Sequence, residues 1–316
     1  LNKGIVIKTT GSWITVQGEN NRKIACKIKG SFRIKGSKST NPVAVGDRVS
    51  YTLQGSETTT QGDPIGLITE IDERKNYLVR RSQNLSRQSH VIAANIDRVF
   101  LIVTQNYPVT TATFMDRFLA TAEAYRIPVI LVFNKTDLLT HDQRIKVNQQ
   151  ADIYKKIGYV CIKTSAVTRE GIPELKKLMT NKISLFSGHS GVGKSTLINL
   201  VQPGLNLKTK EISELYKTGK HVTSWSEMYA LDFGGYIIDS PGIKAFGMLN
   251  MEPWEISHYF REIFTFSSDC QYNNCTHTHE PGCAVKKAVK KGEIAESRYI
   301  SYLGLLENDE KYRRSI

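Results

Sequence analysis

The chain has 316 residues, of which 40% are hydrophobic and 23% charged, with a formal net charge of +13. That length allows two or three domains with cores of their own, and the composition excludes a disordered, collagen-like or membrane-spanning chain. Its longest apolar runs, such as 99–103 (VFLIV) and 129–133 (VILVF), are strand-length and too short to cross a bilayer.

Residues 1–90 carry a net charge of +8, residues 91–249 carry +6, and residues 250–316 carry −1. A phosphate-rich partner is therefore expected to meet the first two thirds of the chain. The first residues lack the charged-then-apolar pattern of a secretory signal, so a cytoplasmic location is expected.

Residues 1–82 read as five short strands, GIVIKTT, WITVQG, KIACKIKG, GDRVSYTL and IGLITEID, separated by Gly, Asn, Asp and Pro. Five strands in some 80 residues fit a small closed barrel, with the OB-fold preferred and an SH3-like barrel also admitted by the strand count. From about residue 91 strands and helices alternate. DRVFLIVT, IPVILVF, YVCIKTSA and KISLF are the strands, with helical patterns between them, and SEMYALDF and GYIID follow as two more. Repeated units of this kind predict a parallel sheet. Beyond residue 250 the pattern is helical and is interrupted by a cysteine cluster.

Gly188-His189-Ser190-Gly191-Val192-Gly193-Lys194-Ser195, followed by Thr196, fits GxxxxGK[ST] between a strand and a helix. Such a loop points backbone N–H groups and a helix N-terminus at phosphates. Lys194 would reach the β- and γ-phosphates, and Ser195 would hold Mg²⁺. Asn134-Lys135-Thr136-Asp137 fits NKxD at the end of a strand. The Asp137 carboxylate can accept from guanine N1–H and the exocyclic amine, a pairing adenine does not offer. Ser165 and Ala166 match the backbone loop that touches guanine O6. Asp239-Ser240-Pro241-Gly242 fits DxPG, with Asp239 placed to hold the metal and the Gly242 N–H to sense the γ-phosphate.

NKxD begins 54 residues before the phosphate loop, whereas an ordinary GTPase has the two in the opposite order. Both motifs sit in their required contexts, so the reading is a circular permutation, which joins old termini and opens a new cut without unmaking the sheet. It also leads the γ-phosphate sensor directly into the C-terminal segment.

The permuted order, the N-terminal barrel and the cysteine cluster together resemble the small ribosomal subunit biogenesis GTPases, RsgA (YjeQ/YloQ), over almost the whole chain. The resemblance implies a multidomain protein: an OB-fold RNA-binding domain (1–84), a circularly permuted α/β P-loop GTPase domain (85–248), and a mainly α zinc-binding domain (249–316). Cys270, Cys275, His277 and Cys283 look like the family's Cys-x4-Cys-x-His-x5-Cys, with His279 a competing ligand. Three thiolates and one imidazole make a closed shell, so one structural Zn²⁺ per chain is expected. Cys26 and Cys161 stand alone in apolar segments and are expected to be buried.

The stretch 218–224 (TGKHVTS) resembles the family's first switch, with departures at Val222 and Ser224, and leaves Thr223 as a Mg²⁺ ligand. The glutamine that orients water in ordinary GTPases is replaced by Ile243. His221 is therefore read either as the water-orienting group or as an exposed bystander. The resemblance further implies a monomer, away from membranes, that binds GTP and GDP with Mg²⁺, the 30S subunit and 16S rRNA. Such a protein acts late in subunit maturation, and its turnover is slow until the subunit stimulates it. Two other readings remain, a GTP-gated RNA-binding module with negligible turnover and a permuted GTPase of the large subunit. An ATP-dependent RNA enzyme is disfavoured by NKxD.

Overall fold

The computed structural model describes residues 1–10, 13–28, 42–60, 62–81, 89–205, 226–239 and 253–313. In chain order it begins with β1 (Asn2–Thr10), β2 (Trp13–Gln17), β3 (Lys23–Ile28), β4 (Arg48–Thr58), β5 (Pro64–Ile71), β6 (Tyr77–Arg81) and β7 (Ser89–Ala94). Then come β8 (Arg98–Val103), α1 (Ala112–Ala124), β9 (Val129–Asn134), α2 (His141–Lys156), β10 (Val160–Thr164), α3 (Ile172–Met179), β11 (Ile183–Ser187) and α4 (Lys194–Val201). The strands β12 (Glu227–Ala230) and β13 (Tyr236–Asp239) follow. Four helices end the described chain: α5 (Pro253–Ile256), α6 (Arg261–Ser267), α7 (Ala284–Lys290) and α8 (Glu296–Arg313).

Packing divides the chain into two compact units. One comprises Leu1–Phe100, Ile172–Ser187 and Gly193–Gly247. The other comprises Leu101–Gly171, Gly188–Val192 and Met248–Ile316.

In the first unit, β1 pairs antiparallel with β2 and β4, β2 with β3, and β4 with β5, while β3 runs parallel to β5. The cycle β1-β2-β3-β5-β4-β1 closes the sheet. That connectivity is the OB arrangement, which strand count alone did not separate from other barrels. Alternation along the strands turns Val6, Ile14, Val16, Ile24, Cys26, Val49, Tyr51 and Ile68 into a common core. Cys26 is buried there as expected.

In the same unit β11 is parallel to β13, but β12 is antiparallel to β13. This is a local correction to the all-parallel expectation. The tight connection holds Gly234 and Gly235 at φ of 84° and 92°, which favours a hairpin over a crossover. The antiparallel pair β6–β7 was also not anticipated.

In the second unit β9 and β10 are parallel over five residue pairs. Every residue of β9 is buried, as its unbroken apolar run demands of a strand covered on both faces. Thr111 caps α1 by accepting from the Phe114 N–H, and Thr140 and Gln143 form a capping box at α2. Cys161 departs from expectation, being only half-buried.

The C-terminal helices share a core with α1. Ala120 packs with Ile256, Phe260, Ile263, Val285, Ile294 and Tyr302. Arg298, 1% exposed, lies 2.8 Å from the buried Asp116 of α1 and 2.6 Å from Glu262 of α6. The Tyr154 hydroxyl donates to the same Asp116 carboxylate at 2.7 Å. Charges so far from water persist only when paired and hydrogen-bonded, so this cluster fixes how α6 and α8 lie on α1. Among the described residues no helix is long and apolar enough to cross a membrane.

Candidate nucleotide site and metal centre

The end of β9 delivers Asn134, 4% exposed, beside the phosphate loop. Its side-chain amide donates to the Val192 carbonyl at 2.8 Å, and its carbonyl oxygen accepts from the Thr164 hydroxyl at 2.9 Å. Asn134 thus braces three segments. Lys135 has left-handed backbone (φ 61°), and its ammonium donates to the Gly191 carbonyl at 2.7 Å and the Tyr107 carbonyl at 2.6 Å. A cation held by two carbonyls pins the phosphate loop against the 104–111 connection.

Thr136 is buried and donates to Glu170 at 2.6 Å. Asp137 is half-buried, and one of its carboxylate oxygens accepts from the Ser165 hydroxyl at 2.5 Å. Ser165 in turn accepts from the Val167 and Thr168 N–H groups at 3.2 and 3.1 Å. The Asp137 carboxylate and the loop that begins at Ser165 are therefore built as one piece. Ala166 is half-buried next to it.

Gly188 has φ of 136°, and a Cβ there would meet the Ile102 carbonyl at 2.3 Å, so no other residue fits. The His189 ring stacks on Phe114 of α1 with centroids 3.9 Å apart. Ser190 and Gly191 are exposed and Val192 is buried, which anchors the loop between them. Gly193, at φ 98°, opens α4, and its carbonyl accepts from the Leu197 N–H at 3.0 Å. Lys194 and Ser195 are half-buried in the first turn of α4, and Thr196 beside them is exposed. A helix N-terminus entered from a glycine-rich loop is an arrangement suited to phosphates, because backbone N–H groups and the positive end of the helix dipole point the same way.

Asp239 closes β13, where its backbone faces Glu227 of β12. Gly242, His221 and Thr223 lie outside the described residues. Sequence reasoning missed Tyr107, Phe114, Thr164 and Glu170. Tyr107 and Val192 act through their carbonyls, so their residue types carry no signal.

The second centre lies in the C-terminal segment. The ligand atoms of Cys270, Cys275, His277 and Cys283 all lie within 4.8 Å of one another. His277 Nδ1 is 3.6 Å from both the Cys270 and Cys283 sulfurs, which are 4.0 Å apart. Tetrahedral zinc with Zn–S of about 2.3 Å and Zn–N of about 2.0 Å has edges of roughly 3.6 to 3.8 Å, so the donor set fits a metal of that kind. His279 is exposed and its Nδ1 lies 2.9 Å from the Thr278 hydroxyl, outside the cluster.

Tyr299 donates to the His277 carbonyl at 2.5 Å and Tyr302 to the Thr276 carbonyl at 2.8 Å. Glu280 accepts from the Thr276 and Thr278 N–H groups, and these bonds, opposed by burial, hold its carboxyl down at about 2. Burial, with Cys283 alongside, pushes the Cys275 thiol up to about 12, and burial lowers His277. A bound cation reverses the thiol preference by taking thiolates as ligands and releasing their protons.

Residues 71–249 match the family model for the RsgA GTPase, and residues 3–60 match that for the RsgA N-terminal domain. The chain belongs to the RsgA GTPase family. It is 56% identical to the small ribosomal subunit biogenesis GTPase RsgA 2 of Bacteroides thetaiotaomicron over 98% of this chain and 99% of that one. With the RsgA of Phocaeicola vulgatus the identity is 55% at the same coverage. Among solved structures, YjeQ from Thermotoga maritima superposes with a TM-score of 0.78 at 36% identity, covering 97% of this chain and 98% of that one. YloQ, described as a circularly permuted GTPase, superposes with a TM-score of 0.76 at 28% identity, covering 98% and 95%. The likeness thus extends along nearly the whole chain, through the barrel and the permuted nucleotide motifs to the C-terminal Cys3His cluster that could hold a metal.

Proposed function

We propose that this RsgA family member is a GTP-hydrolysing factor in biogenesis of the small ribosomal subunit, the role that the names of its relatives state for them. The observation that carries the reading is the brace from the NKxD strand to the phosphate loop through Asn134 and Lys135. It joins a guanine reader and a phosphate cradle that are 54 residues apart in permuted order.

In this reading Asp137, with Ser165 and Ala166, reads guanine, while Gly188–Thr196 hold the phosphates. Lys194 neutralises charge developing on the transferred phosphoryl group, and Ser195 and Thr223 ligate Mg²⁺. Asp239 holds the metal through water, the Gly242 N–H reports the γ-phosphate, and His221 orients the attacking water. The cluster Cys270, Cys275, His277 and Cys283 holds one structural Zn²⁺. The domains are 1–84, 85–248 and 249–316. The basic barrel meets 16S rRNA through its backbone, and the protein works as a cytoplasmic monomer.

Phosphate release from GTP, measured alone and with purified ribosomal subunits, tests the reading. Slow basal release raised by small and not by large subunits is expected. No release under either condition would make the protein a nucleotide-gated RNA-binding module, and stimulation by large subunits alone would move its partner.

A further inference from the structure

Strand β1 serves two sheets. Its first part, Asn2–Ile5, pairs with Arg48–Tyr51 of β4 and closes the barrel. Its register against β2 then shifts between Val6 and Lys8, and just past that shift Lys8 pairs antiparallel with Glu227 of β12. A bulge bends a strand and increases its twist, which lets β1 exchange its β4 neighbour for β12 while it stays paired with β2 out to Thr10.

Glu227 is also the partner of Asp239 across β12 and β13. Lys8, Glu227 and Asp239 therefore occupy one rung. That rung begins in the barrel and ends where the γ-phosphate-sensing segment leaves β13. Its side chains reinforce it, since Lys8 Nζ lies 3.0 Å from Glu227 Oε2 and the Tyr229 hydroxyl donates to the same oxygen at 3.2 Å. Lys8 and Glu227 are 38% and 34% exposed, so water screens the pair and the fold gains little from it. A bulge and a bridged acid are more than barrel closure needs.

We propose that Lys8 and Glu227 are positioning residues that transmit loading of the barrel to the strand end bearing Asp239, so that subunit contact at the barrel tunes GTP turnover. This rests on the functional reading above. RNA phosphates that draw on the basic barrel displace β1, and Lys8 moves with it. Ladder hydrogen bonds across β12, four pairs long against β13, pass the displacement to Asp239. Neither residue belongs to the nucleotide or metal sites.

The test uses the full chain, with and without small subunits, as parent, Lys8→Met, Glu227→Gln, and the reversed pair Lys8→Glu with Glu227→Lys. Basal hydrolysis, melting temperature and co-sedimentation with the subunit should stay close to the parent. The ratio of stimulated to basal rate should fall about three- to fivefold in each single variant, within the usual range for residues that modulate coupling. It should recover to within about twofold in the reversed pair. A purely structural pair would move the melting temperature and leave that ratio alone. Parent-like stimulation in the single variants, or a reversed pair no better than they are, would overturn the proposal. A parent chain that small subunits do not stimulate would overturn the functional reading itself, and this inference with it.

Discussion

Replacing Asn134 by Ala cuts the brace between the NKxD strand and the phosphate loop. The substitution removes a 2.8 Å bond to the Val192 carbonyl and a 2.9 Å bond from the Thr164 hydroxyl, both in a buried place. A buried polar group left unpaired costs about 1–3 kcal/mol. The cost at the Thr164 hydroxyl falls on the fold. A similar cost at the Val192 carbonyl falls on the phosphate loop, which must then be ordered by the nucleotide. At 1.4 kcal/mol per factor of ten, about 1–3 kcal/mol weakens GDP binding by roughly five- to 150-fold. Asn134→Asp is the companion variant. It keeps an acceptor for Thr164 but turns an oxygen toward the Val192 carbonyl, and should cost at least as much. Equilibrium titration with a fluorescent guanine nucleotide reads the affinity, and urea unfolding of the same proteins reads the stability. Lowered stability with parent-like affinity would show that the loop keeps its shape unaided and would refute the brace.

Asp137→Asn exchanges one carboxylate oxygen for an amide donor that faces the exocyclic amine of guanine. GTP affinity should fall by at least a hundredfold while XTP, which carries a carbonyl there, gains; retained GTP preference in competition binding would remove Asp137 as the base reader. Protein purified without chelator should carry about one zinc per chain by elemental analysis. Cys275→Ala should lower that content and loosen α7 and α8 in hydrogen exchange, with GTP binding retained. A zinc-free parent would count against the structural-metal reading.

The motifs were legible because their chemistry is local. A nine-residue motif between a strand and a helix makes the phosphate loop, and an apolar strand running into Asn-Lys-Thr-Asp makes the NKxD motif. Their order along the chain revealed the permutation without coordinates. The cysteine spacing likewise identified the metal cluster, although choosing His277 over His279 from the residues relied on resemblance, and geometry later placed His279 outside it. The β6–β7 pair escaped notice because two short strands, YLVRR and SHVIAA, group their apolar residues rather than alternating them.

What sequence alone determined was the type of most elements and the permuted order of the motifs. Each element and each motif depends on residues a few positions apart, where side-chain period and backbone preference act directly. Tertiary structure alone decided which elements became partners. An apolar face demands burial but does not name what covers it, so nothing in the chain announced that the C-terminal helices would share a core with α1. Nor did it announce that Arg298 would find Asp116 across 182 residues. Strand alternation was equally silent about β1 exchanging β4 for β12 after a bulge. Backbone carbonyls at Tyr107 and Val192, which hold Lys135 and Asn134, belong to every residue type, so their roles exist only once the chain has folded.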